Sequence, residues 1–193
     1  MKTEIVPGLT VTDEMFDAAS AGVGKQIPGL APLTWEQFTD PNGWTLVPDD
    51  RGDAYKAELV LLSRVESTIK INLWSLPDRR GGERARPHNH PWAFRSYVLL
   101  GGYDEDRYTL EGGRVVPELS VSHTSGSVNH VAPEVYHDVT AIHDPHRTLT
   151  LMVCGPGRKG QWGYLDTDTG EHVATQPDPG FLERLRALNP HKN

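Results

Sequence analysis

Apolar and polar positions alternate with a period of two through the middle of the chain. In "AELVLLSRVESTIKINLWSLP" (57–77) two apolar-rich, β-branched runs flank Glu66-Ser67, and Lys70 and Asn72 alternate with Ile69, Ile71 and Leu73 in the second. Successive side chains of a strand point to opposite faces, so both runs read as strands and the pair as a hairpin. "FRSYVLLGGYDEDRYTLEGGRVV" adds strands with turns at Gly101-Gly102 and Gly112-Gly113. "SGSVNHVAPEVYHDVTAI", "RTLTLMVCG" and "QWGYLDTDTGEHV" complete a series of about eight to ten strands.

The two ends follow a helical period instead. A helix is expected over "TDEMFDAAS", and a second from Thr34, where "TWEQF" carries a capping box with Gln37. Near the C-terminus, "DPGFLERLRALNP" offers Asp178 as N-cap, Pro179 at the first helical position, and Leu182, Leu185 and Leu188 on one side before the Asn189-Pro190 stop. Nineteen glycines and fifteen prolines are spread among these segments, as short strands joined by turns require. The pattern predicts an all-β sandwich or barrel over 55–175, a helical and irregular lead-in over 1–54, and a C-terminal helix and tail over 176–193.

Composition narrows the functional classes. With 37% hydrophobic and 23% charged residues in 193, the chain has the make-up of one soluble core. No apolar window of membrane-spanning length is present and the start lacks the apolar region of a signal peptide, so a cytoplasmic protein with no membrane partner is expected. The lone Cys154, in an apolar run, reads as a buried small hydrophobe. A net charge of −7 disfavours nucleic acid, whose phosphates need a basic surface, and the locally basic "RRGGERAR" reads as a solvated loop.

The histidines carry the candidate chemistry. In "ERARPHNHPWAF", His88 and His90 are two positions apart, so on an extended segment both face the same way, roughly 7 Å apart at Cα, and can converge on one ion at about 2.1 Å. Asn89 then points the other way. A third ligand is expected from "GSVNHVAPEVYHDV", where His137 begins a new alternating run beyond the turn marked by Gly126 and Pro133. His130 and Glu134 flank that turn as a fourth ligand or an outer-shell acceptor. His123, His143, His146, His172 and His191 sit in polar surroundings and read as solvated.

This arrangement resembles the cupin superfamily, whose first motif pairs a glycine with HxH and a closing glycine, and whose second is a G…P…H pattern. The first maps onto Gly82, His88, His90 and Gly101, the second onto Gly126, Pro133 and His137. The resemblance implies a double-stranded β-helix, or jelly-roll barrel, with short flanking helices. The motif's glutamate would fall at Phe94 or Arg95, which leaves three histidines. That set is similar to the branch containing cysteine dioxygenase and related thiol dioxygenases, and implies Fe(II) with open positions for substrate and O₂. "HNHPWAFRSYVLLGGY" and "VCGPGRKGQWGY" also resemble a group of bacterial and phage cupins with an HxHPW motif.

An anionic substrate needs a cation beside the metal, for which Arg95 is the candidate by its planar fork, although five residues after His90 it faces the opposite side of a regular strand unless the Pro91-Trp92 turn changes the phase. Lys70 and Asn72 face either solvent or a wet cavity; Tyr97, Trp92 and Tyr136 line such a pocket if the strands are phased inward. The resulting expectation is a mononuclear metal-dependent enzyme, a non-haem Fe(II) oxygenase acting on a small anionic or amino-acid-like molecule. An isomerase, epimerase or lyase using Zn, Mn or Ni as Lewis acid, with Glu134 or His130 as base, is the second reading, and a non-catalytic ligand or metal sensor the third. A homodimer is expected from the exposed edges of a barrel.

Overall fold

The computed structural model describes residues 1–78, 86–158, 162–175 and 178–192. Gly82 and nearly all of "RRGGERAR" lie outside the described residues. The chain opens with a hairpin of β1 (Lys2–Val6) and β2 (Leu9–Thr12), which runs directly into α1 (Asp13–Gln26). Thr12 ends the strand and caps the helix, its hydroxyl accepting from the Met15 amide at 3.3 Å. α2 (Trp35–Thr39) begins at Thr34 with both bonds of the expected capping box made.

Eleven further strands follow: β3 (Trp44–Pro48), β4 (Ala54–Ser63), β5 (Thr68–Trp74), β6 (Phe94–Leu100), β7 (Gly102–Glu111), β8 (Arg114–Thr124), β9 (Val128–Val131), β10 (Tyr136–Ile142), β11 (Thr148–Cys154), β12 (Gly163–Leu165) and β13 (His172–Ala174). The architecture is the all-β one expected, with few and short helices. The strands exceed the expected number because β1, β2 and β3 are short, four or five residues each, and bounded by Pro and Gly, and so leave little periodic signal. β4 and β5 form the hairpin expected at Glu66-Ser67, closed by bonds between Arg64 and Ser67. β7 and β8 turn at Gly112 and Gly113, whose positive φ values of 57° and 80° are open to glycine at little cost.

Apart from the β1–β2 hairpin, the described strands fall into two antiparallel layers. The first has strand order β3-β4-β5-β11-β6-β9, so it takes in β3 ahead of residue 55. The second contains β10-β7-β8, and a backbone bridge at His88, to His137 on one side and Tyr164 on the other, links it to the β12–β13 pair.

The two faces of the six-stranded sheet differ in kind. Ala57, Leu59, Ile69, Ile71, Leu73, Leu149 and Leu151 point outward into the main apolar core, which α1, α2 and the first hairpin complete with Val11, Ala19, Val23 and Phe38. α1 lies close on β6 here: a Cβ on Gly22 would come within 2.6 Å of a Leu99 methyl, so a larger residue would have to turn that side chain aside. The inward face carries Lys56, Glu58, Lys70, Asn72, Trp74, Ser96 and Thr150 alongside a smaller apolar cluster that includes Trp74, Val98 and Tyr103.

α3 (Phe181–Leu188) starts later than expected, with Gly180 at its N-cap and Asp178 bonding the Gly180 amide ahead of it. Its packing face also differs: Leu182 is 57% exposed, whereas Phe181 and Leu185, four apart, turn toward the barrel. Asn189 follows as a strand substitute, its side-chain amide accepting from the Leu46 amide at 2.7 Å and donating to the Leu46 carbonyl at 2.8 Å.

Candidate metal centre

His88 and His137 are brought face to face by the backbone. Each donates its amide to the other's carbonyl at 2.9 Å, and directly paired residues of an antiparallel ladder project their side chains to the same side. His90, two residues on from His88, projects to that side as well. One ligating nitrogen from each of the three rings lies within 4.8 Å of the other two, and His90 Nε2 is 3.1 Å from His137 Nε2. The ring centroids are 5.0 to 5.2 Å apart.

Asn89 faces away and fastens the segment. Its Oδ1 accepts from the Gly163 amide at 2.9 Å, and its Nδ2 donates to the Pro133 carbonyl at 3.1 Å. The residue between the two histidines therefore ties β12 and the turn before β10 to the same short extended stretch.

Behind His137 lies a carboxylate that the sequence reading missed. Glu105, on β7, is fully buried; its Oε2 is 3.1 Å from His137 Nδ1 and its Oε1 is 3.1 Å from His123 Nε2, with Arg107 Nε at 3.5 Å. Burial pushes its carboxyl up, yet the hydrogen bonds from the two imidazoles outweigh this and hold it down to about 2. An ionised Glu105 demands a proton on His137 Nδ1, which leaves Nε2, the atom beside His90, with its lone pair for a metal. Nearby, Tyr103 accepts a hydrogen bond from Asn129 at 3.0 Å, and its hydroxyl is pushed up to about 12 by burial and by the Glu105 charge. On the far side, Asp78 Oδ2 is 3.7 Å from His88 Nε2.

The centre opens through His90. His88 and His137 are buried, whereas His90 is half-buried and lines a cavity of about 340 Å³ between the inward face of the six-stranded sheet, Pro91-Trp92 and α3. Trp92 and Phe94 stand against its ring at centroid distances of 5.6 and 5.0 Å. Phe181 and Leu185 of α3 form part of the wall, and Lys56, Glu58 and Lys70 supply the charge.

The other candidates from sequence separate by strand phase. Lys70 and Trp92 line the cavity with His90. Asn72 is buried on the same inward face, its Nδ2 3.4 Å from Thr150 Oγ1. Tyr97 points to the opposite face of β6, into the apolar layer under α1. Arg95 is exposed and pairs across the ladder with His130, also exposed. Glu134 is exposed in the turn before β10. Tyr136 precedes His137 and faces the other way, its hydroxyl 2.9 Å from His172 Nδ1. The structure thus does not bring Arg95, Tyr97, His130, Glu134 or Tyr136 to the three histidines. His123, expected to be solvated, is buried against Glu105 and Tyr103. Cys154 is buried as expected, and its surroundings push the thiol up.

Glu105 had a signal in the sequence: in "GYDEDRY" it shares the phase of Tyr103 and is followed two residues on by Arg107, as an inward polar row would be. Lys56 and Glu58 had the same signal, alternating with Ala57 and Leu59.

No helix among the described residues is long and apolar enough to cross a membrane. No family model matches the sequence, and no curated protein matches it. Solved structures do match in shape. A KdgF protein from Halomonas is 11% identical, with 55% of this chain covering 84% of that one at a TM-score of 0.39. An RmlC-like cupin from Shewanella frigidimarina is 18% identical, over 60% and 86% of the two chains, at 0.39. HEPD of Streptomyces albus, solved with 2-hydroxyethylphosphonate and Fe(II), is 16% identical over 59% of this chain and 24% of its own, at 0.40.

Proposed function

We propose that this chain is a cupin-type mononuclear metalloenzyme, an Fe(II) oxygenase that holds its ion on His88, His90 and His137 and acts on a small anionic or amino-acid-like molecule admitted beside His90. The observation that carries this reading is the convergence of three imidazole nitrogens within 4.8 Å at the wall of a cavity, with the tautomer of one of them set by Glu105. Three neutral ligands leave the ion its full double charge and open positions, which suits an anionic substrate and O₂.

When bound, the ion would supply Lewis acidity and, as iron, a partner for O₂. The chain's own residues do the rest. Glu105 and Asn89 fix the direction of the ligands. Phe94 and Trp92 pack against the His90 ring and hold its direction.

Metal analysis of protein purified without a chelating tag tests this. About one iron per chain, O₂ uptake on adding small amino-acid-like anions, and loss of both in His137→Ala are expected. Zinc, manganese or nickel without O₂ uptake would sink the oxygenase reading and leave Lewis-acid isomerase, epimerase or lyase chemistry. An absence of stoichiometric metal would sink both.

A further inference from the structure

The cavity beside His90 holds a charge cluster that the metal reading does not use. Lys56 Nζ and Lys70 Nζ both lie 2.8 Å from the same oxygen, Oε1 of Glu58, and the side chains are only 9%, 17% and 18% exposed respectively. All three line the cavity with His90 and Trp92. Lys56 is also held from the side, its ammonium 5.3 Å from the Tyr55 ring centre and 5.0 Å from that of Trp74.

The cluster does not balance. Two ammonium groups meet one carboxylate, so one positive charge is left over in a largely enclosed space, and an uncompensated buried charge is costly. Burial works against the ionised form of Glu58, but the two lysines hold its carboxyl well below the usual range, so protonation does not supply further imbalance. Each ammonium has three donors and directs one at Glu58, which leaves others for a ligand.

Resting on the metal reading for its position, we infer that Lys56 and Lys70 form the subsite for a carboxylate of the substrate, holding it in the same cavity as the open side of the three-histidine centre. A singly charged carboxylate neutralises the surplus. A phosphate ester, at close to two negative charges, would leave a new surplus of the opposite sign among Trp92, Met152 and Phe181. The volume of about 340 Å³ sits at the small end of ligand sites, so the acid is small, and the apolar wall suits a short hydrocarbon part.

The test is calorimetric titration of metal-free protein with butyrate and with inorganic phosphate, zinc binding being titrated separately. Butyrate is expected to bind more tightly than phosphate. Lys70→Met is expected to weaken butyrate by about ten- to hundredfold, as loss of a charge-assisted hydrogen bond does, with zinc affinity unchanged. Glu58→Gln raises the surplus from one charge to two and is expected to tighten butyrate severalfold, a gain that a purely structural ion cluster would not give. Wild-type affinity in folded Lys70→Met, no gain in folded Glu58→Gln, or phosphate binding more tightly than butyrate would each overturn the carboxylate subsite. Failure of zinc to bind while butyrate binds would sink the metal reading and leave the subsite standing.

Discussion

The two faces of the six-stranded sheet are made by the same strands, yet one is a fold and the other a site. Residues 57, 59, 69, 71 and 73 point outward into the main core, while 56, 58, 70 and 72 point inward toward the cavity. Polarity is therefore reversed relative to a barrel filled with apolar side chains. Stability is concentrated on the outer face under α1 and α2, which leaves the interior free to keep charges and histidines that a packed core would exclude. Changes on one face should leave the property of the other intact.

The largest effect is expected outside. Phe38 is fully buried and touches the rings of Phe16, Trp35 and Trp44 at 5.7, 6.4 and 5.6 Å. Phe38→Ala leaves a cavity that its aromatic neighbours cannot close and should cost about 3–5 kcal/mol in denaturant unfolding. Zinc affinity per folded molecule should not change; a drop of tenfold or more would break the division between the faces.

Inside, the order reverses. Glu105→Gln removes the charge that keeps the proton on His137 Nδ1, and metal affinity should fall by about ten- to hundredfold, as for other residues that orient metal-bound histidines. The side chain keeps its size but gives up a buried charge that His123, His137 and Arg107 stabilise, so the unfolding midpoint of the metal-free protein should fall as well, and the zinc loss is read per folded molecule. Equal zinc affinity in the two proteins would remove Glu105 from the centre.

Much of this division was legible in the sequence, but not its direction. Period-two alternation located β4, β5, β6, β7 and β10, because the pattern depends only on the pleat. The same pattern is symmetric with respect to the two sides, so "TIKINLW" reads equally as solvent-facing or cavity-facing until the covering element is known. That element is α1 with α2, whose placement follows from long-range packing. His88 and His90 were legible from their spacing, and His137 from the alternation after Pro133. Glu105 was legible only as a polar position in the phase of Tyr103; its contact with His137 was not, since it depends on the register of β7 against β10, in which Val139, two residues further along, is its direct partner. Tyr97 and Tyr136 failed to reach the centre by a single position each, for a shift of one residue moves a side chain to the other face.

The smallest effect expected is a pH dependence that belongs to the inner face alone. Glu58 has its carboxyl held below the ordinary value of 4.5, because the ammonium groups of Lys56 and Lys70 outweigh the opposing pull of burial. A group with a depressed folded-state pKa contributes stability that is fully present above the unfolded value and is lost as pH falls through the folded one. The contribution of Glu58 is thus whole at neutral pH and declines only below about 4.5. In Glu58→Gln there is no carboxylate to protonate, so the unfolding midpoint should fall less steeply than in the wild type between neutral pH and pH 3, and the gap between the two proteins should narrow on acidification. Partial access to water at the cavity wall keeps this difference modest. Arg147, whose bridge to Glu14 on α1 is exposed, supplies the outer-face control: solvent screens such a pair, so Arg147→Ala should leave the midpoint almost unmoved. Parallel acid profiles for Glu58→Gln and the wild type would show that the lysine pair does not hold Glu58 as the inner-face cluster requires.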